Sequence, residues 1–99
     1  MLILAGTVRV PAEKIDAARP HLEAMVRASR AEPGCRAYSF AFDVLDPGLI
    51  RIFEVFDDAA AREAHRQSPH MAAWRACWPA LGIGERDMTL YLISHHEKT

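Results

Sequence analysis

The stretch Ser29-Arg30-Ala31-Glu32-Pro33-Gly34-Cys35 separates two different patterns in this chain. Before it, over residues 12–31, apolar side chains recur at helical spacing. After it, over residues 35–44, large and small side chains alternate as in a strand. Proline cannot continue a helix, and glycine readily takes the left-handed conformation that ends one. The stretch therefore predicts a sharp corner between a first helix and a second strand.

Working outward from this corner, we predict the element order βαββαβ. The turn residues Asp46-Pro47-Gly48 indicate a hairpin between the second and third strands. Ser68 and Pro69 are typical of a helix cap and first turn, so a helix should restart there. The predicted elements are strand 2–10, helix 12–31, strands 35–44 and 49–56, helices 58–66 and 70–80, and strand 86–94. This order is typical of a ferredoxin-like α+β fold with an antiparallel four-stranded sheet.

Pro20 lies inside the first helical pattern. A proline within a helix removes one hydrogen bond and costs about 3 kcal/mol. We therefore expect a kink or a break near Arg19.

Length and composition predict one domain over residues 1–99, with a core at about 2–94 and a polar tail at 95–99. The net charge of −1 and the scattered basic residues argue against nucleic-acid binding. Two cysteines are too few for a disulfide framework. Neither a signal peptide nor an apolar run of membrane-spanning length is evident, so we expect a cytoplasmic protein without membrane association.

The first and last predicted strands are apolar on both faces. Helices cover only one face of a ferredoxin-like sheet, so a second copy of the sheet is the simplest cover for the other. We therefore expect a homodimer formed through the sheet face. A charge introduced at Leu90 or Tyr91 should then break the dimer.

Glu54 is the unusual residue of the third strand, because its face otherwise carries Ile50, Ile52 and Phe56. If this face meets the helices, burial should raise the pKa of Glu54 unless the carboxylate is paired. Glu54 is thus either a structural ion-pair partner or a pocket acid or base.

His65 and His70 flank the predicted helix restart at Ser68 and Pro69, which can bring them together. Histidine titrates near neutral pH and is a natural general base, although both residues could instead cap helix segments. With Glu54 they could form a two-histidine, one-carboxylate metal set. Their five-residue separation does not suit one helix face, so we predict no metal site.

Aromatic residues occupy two faces of the predicted fold. Trp74 and Trp78 follow His70 at four-residue spacing on the second helical stretch, and Tyr38, Phe40 and Phe42 share one face of the second strand. Such stripes usually pack in a core, but they could also line a ligand pocket. The candidate substrate-binding residues are Trp74, Tyr38, Phe40 and Phe42.

Three motifs together resemble the antibiotic biosynthesis monooxygenase (ABM) family of dimeric α/β-barrel proteins. They are the Glu32-Pro33-Gly34-Cys35 corner, Phe53-Glu54-Val55-Phe56 and the pair His65 and His70, and the resemblance runs from Val8 to about Tyr91. It implies oxidation of a quinol- or anthrone-like substrate by O2 without flavin, haem or metal. His65 or His70 would then be the base, Glu54 its partner, and Trp74 with the strand aromatics the pocket wall.

Relatives of this fold suggest other functions. Haem degradation is disfavoured, because Gly6-Thr7 and His65 stand where that activity needs asparagine and tryptophan. A small-molecule isomerase is one alternative: isomerising or otherwise processing a phosphorylated sugar would need a basic pocket residue such as Arg51 or Arg75, and Arg51 lies on the face opposite Glu54. The remaining alternative is a ligand-binding or dimerisation module without catalysis, in which both histidines are solvated or satisfied by backbone groups.

Overall fold

The structure, a computed structural model describing residues 1–99, contains one antiparallel sheet packed against three helices. The strands are β1 (Leu2–Arg9), β2 (Cys35–Phe42), β3 (Leu49–Phe56) and β4 (Arg86–Leu92), in the spatial order β2-β3-β1-β4. The helices are α1 (Ile15–Arg30), α2 (Ala59–Arg66) and α3 (Pro69–Leu81). The predicted βαββαβ ferredoxin-like fold is confirmed.

Strand pairing fixes which side chains face the helices. Leu4 lies opposite Glu54 on β3 and opposite Leu90 on β4, while Tyr38 on β2 also lies opposite Glu54. Directly paired residues point to the same side of a sheet. The main core lies between this side and the helices, and it contains Val8, Val10, Ala18, Leu22, Met25, Tyr38, Ile50, Ile52, Trp74, Trp78, Leu81 and Ile83.

Of the kink or break expected near Arg19, the break is wrong, because α1 runs through Pro20 without interruption. A short 3₁₀ turn (Ala12–Lys14) precedes α1. The helix buries Ala18, Leu22 and Met25 along one continuous face. Full burial of a large apolar side chain contributes about 1.5–3 kcal/mol, so packing on both sides of Pro20 offsets one lost hydrogen bond.

The corner after α1 has the predicted left-handed glycine. Gly34 has φ of 80°, and its carbonyl oxygen accepts a hydrogen bond from the Asp57 amide at 2.8 Å. A Cβ at this position would lie only 2.7 Å from the Ala61 Cβ of α2. The corner is therefore packed against the start of α2, which fixes the turn containing Glu32 beside that helix.

The restart between α2 and α3 also has the predicted caps. The Ser68 hydroxyl accepts a hydrogen bond from the Met71 amide at 3.2 Å, and Pro69 is the first residue of α3. The same hydroxyl donates to the His65 carbonyl oxygen at 2.7 Å. Ser68 thus joins the two helix ends that carry His65 and His70.

The side of the sheet without helices carries large apolar groups. Phe53 and Tyr91 are 43% and 49% exposed there, beside Ala5 of β1. Leu90 pairs with Leu4, so it lies on the helix side and its expected place at a sheet-face contact is wrong. Tyr91 directly follows Leu90 in the chain, and successive strand residues point to opposite faces, so Tyr91 alone of the two lies on the uncovered side.

None of the three helices combines the length and hydrophobicity needed to cross a lipid bilayer.

Candidate active site

His65, in the last turn of α2, is the most deeply buried histidine of the fold. Its side chain is 2% exposed. The ring packs between Tyr38 and Phe56, with centroid distances of 5.3 and 5.2 Å. The strands and the Ser68 cap therefore hold the imidazole in one position.

Glu32 orients the His65 ring. A carboxylate oxygen of Glu32 lies 2.7 Å from His65 Nδ1. An ionised carboxylate only accepts hydrogen bonds, so Nδ1 carries the proton and the lone pair is on Nε2. Burial lowers the pKa of His65, while the Glu32 carboxylate opposes that shift. The result is a neutral imidazole with a defined tautomer.

The other ring nitrogen of His65 is free. Nε2 is buried and has no hydrogen-bond partner. The nearest carboxylate oxygen, from Glu54, is 3.7 Å away, which is too far for a hydrogen bond. A buried, unpaired lone pair can accept a proton from a bound molecule.

Glu54 projects from the middle of β3 into the same region, and its side chain is 4% exposed. Burial raises the pKa of Glu54 to about 7, and the positive charges of Arg86 and Arg62 oppose this shift. The carboxyl can therefore hold or release a proton near neutral pH. This agrees with the effect expected from its apolar neighbours on the strand.

His70, in the first turn of α3, is linked to His65 through Glu32 and not through Glu54. Its Nε2 lies 3.2 Å from a Glu32 oxygen, and its ring centroid is 5.9 Å from that of His65. One ligand atom each from Glu32, His65 and His70 lie within 4.8 Å of one another, so this set could hold a cation. The metal ligands considered from sequence were the two histidines and Glu54. In the structure, the carboxylate close to both histidines is that of Glu32.

Glu54 and His65 line a pocket of about 210 Å³. Its other lining residues are Leu4, Arg62, Arg66, Met71, Arg75 and Arg86. Typical ligand pockets measure roughly 300–1,000 Å³. The pocket of this chain therefore suits a small ligand, and half of its lining residues are arginines.

The predicted aromatic wall is not assembled around this pocket. Trp74 is buried in the core against Phe40 and Trp78, at centroid distances of 5.5 and 5.8 Å. Tyr38 packs against the His65 ring without lining the pocket, and Phe40 and Phe42 line a separate groove beside α1. Periodicity identifies the face of an element, whereas the neighbouring helix decides which cavity that face lines.

Of these residues, sequence analysis considered only Arg75, for a phosphorylated-sugar ligand. It did not predict Glu32, Arg62, Arg66 or Arg86, although two signals point to some of them. An acidic residue just beyond a helix C-terminus meets the negative end of the helix dipole, so Glu32 needs a compensating partner. Arg62 and Arg66 stand three residues before and one after His65, which places all three on one helix surface. Arg75 and Arg86 have no comparable local signal.

Comparison with known proteins identifies relatives with a similar sequence. The family model described as antibiotic biosynthesis monooxygenase matches residues 1–76. Rv0793 of Mycobacterium tuberculosis, a provisionally assigned monooxygenase, is 40% identical over 60 residues, which are 61% of this chain and 58% of the relative. The uncharacterized protein sll1783 of Synechocystis sp. is 28% identical over 93 residues, which are 94% of this chain and 63% of the relative. The chain thus spans about three fifths of the length of these curated relatives.

Solved structures of other proteins share the whole fold of this chain. A provisionally assigned antibiotic biosynthesis monooxygenase from Deinococcus radiodurans has a TM-score of 0.92 and 26% identity, with 100% of this chain and 98% of that chain covered. Rv0793 has a TM-score of 0.86 and 26% identity, with 98% of each chain covered. Together with the family match over residues 1–76, these similarities show that the chain belongs to the antibiotic biosynthesis monooxygenase family.

Proposed function

We propose that this protein is a cofactor-independent monooxygenase that oxidises a quinol-like aromatic substrate with O2. The observation that supports this most directly is the state of His65: its Nδ1 is held by Glu32, and its Nε2 is buried without a partner. A base of this kind can remove the phenolic proton that makes a quinol reactive towards O2. The pocket volume of about 210 Å³ favours a single-ring quinol over a three-ring anthrone.

In the proposed reaction, His65 Nε2 takes a phenolic proton and the substrate anion passes one electron to O2. Recombination of the two radicals forms a carbon–oxygen bond. Loss of water then leaves one oxygen atom on the ring, so a hydroquinone plus O2 gives a hydroxyquinone plus water. The substrate supplies all four electrons for the reduction of O2.

The proposed roles of the two carboxyl groups differ. Glu32, 2.7 Å from Nδ1, stabilises the imidazolium that forms when His65 is protonated. Glu54, whose pKa burial raises to about 7, supplies the proton that leaves with water. His70, which also contacts Glu32 and is 22% exposed, provides a route for the proton to solvent.

The proposal is tested by oxygen uptake with metal-stripped protein and hydroquinone between pH 5 and 9. We expect uptake to rise with pH through the His65 titration, with a midpoint below 6.5 because burial lowers this pKa. Loss of a general base typically costs about 10²–10⁴-fold in rate, so His65→Ala should lose at least 100-fold. His95→Ala, in the exposed tail, is the control. Unchanged uptake by folded His65→Ala would overturn the assignment of the base.

A ligand-binding role without catalysis is the second candidate, and the groove beside α1 favours it. This groove measures about 340 Å³ and includes Phe40, Phe42, Leu22 and Val26. Neither histidine lines it. Binding of an apolar ligand that is weakened by Phe42→Ala and unaffected by His65→Ala would support this role over the enzymatic one.

A further inference from the structure

We propose that the ligand of the His65 pocket carries an anionic oxygen group, a carboxylate or a phosphate, which Arg62, Arg75 and Arg86 bind. The inference deepens the proposed function by naming the class of substrate. The binding step itself does not depend on the oxidation chemistry, so the two can fail separately.

The first evidence is the concentration of arginine around one small space. Four of the ten arginines in the chain are among the eight residues that line this pocket. They come from three elements: Arg62 and Arg66 from α2, Arg75 from α3, and Arg86 from β4. Separate elements therefore bring like charges together, which is unfavourable unless an anion offsets them.

The second evidence is that three of these guanidinium groups lack an acidic partner. Only Arg66 makes a salt bridge, to Glu63 at 3.0 Å on the exposed side of α2. Arg62, Arg75 and Arg86 make none, whereas Arg9, Arg27, Arg36 and Arg51 each pair with a carboxylate elsewhere in the fold. The Nε of Arg62 is moreover buried with no hydrogen-bond partner.

The third evidence is electrostatic. Burial lowers the pKa of Arg75, and the neighbouring charges of Arg86 and Arg66 lower it further. The acidic group in the pocket, Glu54, compensates only in part, because its pKa is raised to about 7. The pocket therefore has a positive charge at neutral pH, and guanidinium groups match carboxylate and phosphate oxygens in pairs.

A structural role accounts for one of the three arginines but not for all. The Arg75 guanidinium stacks on the Trp78 ring at 4.4 Å, a cation–π contact that would hold it there without a ligand. Arg86 has no such contact. Half-buried at the start of β4, it is the residue whose position a ligand best explains.

Calorimetric titration of the full chain tests the anion site directly. The probes are benzoate, phenyl phosphate and the neutral benzamide, which share one aromatic ring. We expect one of the two anions to bind at least about tenfold more tightly than benzamide, since hydrogen bonds to charged groups are the stronger ones. The comparison of benzoate with phenyl phosphate identifies which anion the site takes.

Charge-removing variants assign that preference to the pocket. Arg86→Gln should lower the affinity for the anion to about the affinity for benzamide. Lys14→Gln, which removes an exposed positive charge from the 3₁₀ turn before α1, should leave both affinities unchanged. Arg62→Gln provides a second pocket variant if circular dichroism shows that Arg86→Gln does not fold. Equal binding of all three probes, or an equal loss in Lys14→Gln, would overturn the inference.

Oxygen uptake separates this inference from the proposed function. Anion-selective binding with no uptake from either hydroquinone or 2,5-dihydroxybenzoate would support the anion site and overturn the oxidation. Uptake from hydroquinone without any preference for anions would support the oxidation and overturn the anion site. Faster uptake from 2,5-dihydroxybenzoate, lost in Arg86→Gln, would support both.

Discussion

At the level of single residues, the site consists of one imidazole between two carboxyl groups in different surroundings. Glu32 is 14% exposed and hydrogen-bonds both His65 and His70, whereas Glu54 is 4% exposed and has no hydrogen-bond partner. Different environments give chemically similar groups different proton affinities. Glu32 is therefore suited to fix the tautomer of His65, and Glu54 is suited to exchange a proton near pH 7.

The raised pKa of Glu54 predicts a pH dependence of stability. Its folded pKa of about 7 exceeds the reference value of 4.5. The stabilisation it contributes is complete below pH 4.5 and is lost as the pH rises through 7, a change of about 3 kcal/mol. The lowered pKa of His65 acts in the opposite direction, since its contribution is complete above pH 6.5 and is lost as the pH falls below that value.

Glu54→Gln removes only the first of these effects. The parent protein loses stability from Glu54 as the pH rises, whereas the variant does not. The difference in free energy of unfolding, variant minus parent, should therefore increase by up to about 3 kcal/mol between pH 5 and 8, as measured by urea denaturation. Glu13→Gln, exposed in the 3₁₀ turn, is the control and should follow the parent. If the free energies of unfolding of Glu54→Gln and the parent changed equally with pH, burial would not raise the pKa of Glu54.

At the level of elements, the site forms where three helix ends meet. The turn after α1 provides Glu32, the last turn of α2 provides His65, and the first turn of α3 provides His70. The Gly34 corner and the Ser68 cap hold these ends in place through contacts with α2. The connections, more than the helices themselves, thus determine the spacing of the catalytic candidates.

Gly34→Ala should disturb this arrangement. A left-handed backbone costs a residue with Cβ about 1–2 kcal/mol, and here the Cβ would also lie 2.7 Å from that of Ala61. We expect a loss of at least about 2 kcal/mol in urea denaturation, together with slower oxygen uptake. Gly84→Ala is a matched control, because no atom lies within 4 Å of its added Cβ. If the two variants were equally stable, the corner would not be constrained by α2.

At the level of the whole molecule, the sheet has one covered and one uncovered face. Phe53 and Tyr91 are half-exposed on the uncovered side, next to Ile3 and Ala5. Large apolar patches of this kind usually mark an interface. We propose that two copies pack through these faces, which would close the pair into the dimeric barrel expected from the sequence.

A charge at the centre of that face should separate the copies. Phe53→Glu or Tyr91→Glu would place a carboxylate in the apolar contact without a partner, so light scattering coupled to gel filtration should show a monomer. Val44→Glu, 95% exposed in the turn after β2, should leave the dimer intact. Dimeric Phe53→Glu and Tyr91→Glu would mean that the uncovered face is not the interface.

Local patterns in the sequence were sufficient for the order of elements, the Gly34 corner and the Ser68–Pro69 restart. Alternation, helical spacing and cap residues act over a few positions, so they can be detected without knowledge of the fold. The burial of Glu54 followed in the same way, because its neighbours at two-residue spacing on the strand are apolar. The continuity of α1 across Pro20 did not follow, because packing against the sheet outweighs the local preference of proline.

The partners within the site were decided by tertiary structure alone. Glu32 and His65 are 33 positions apart, and the arginine pocket combines α2, α3 and β4. Such proximity depends on how helices pack across the sheet, which no short pattern specifies. The sequence by itself therefore determined the fold and the presence of a buried acid and two histidines. Tertiary packing decided that Glu32 joins the histidines, that four arginines surround Glu54, and that the aromatic residues lie elsewhere.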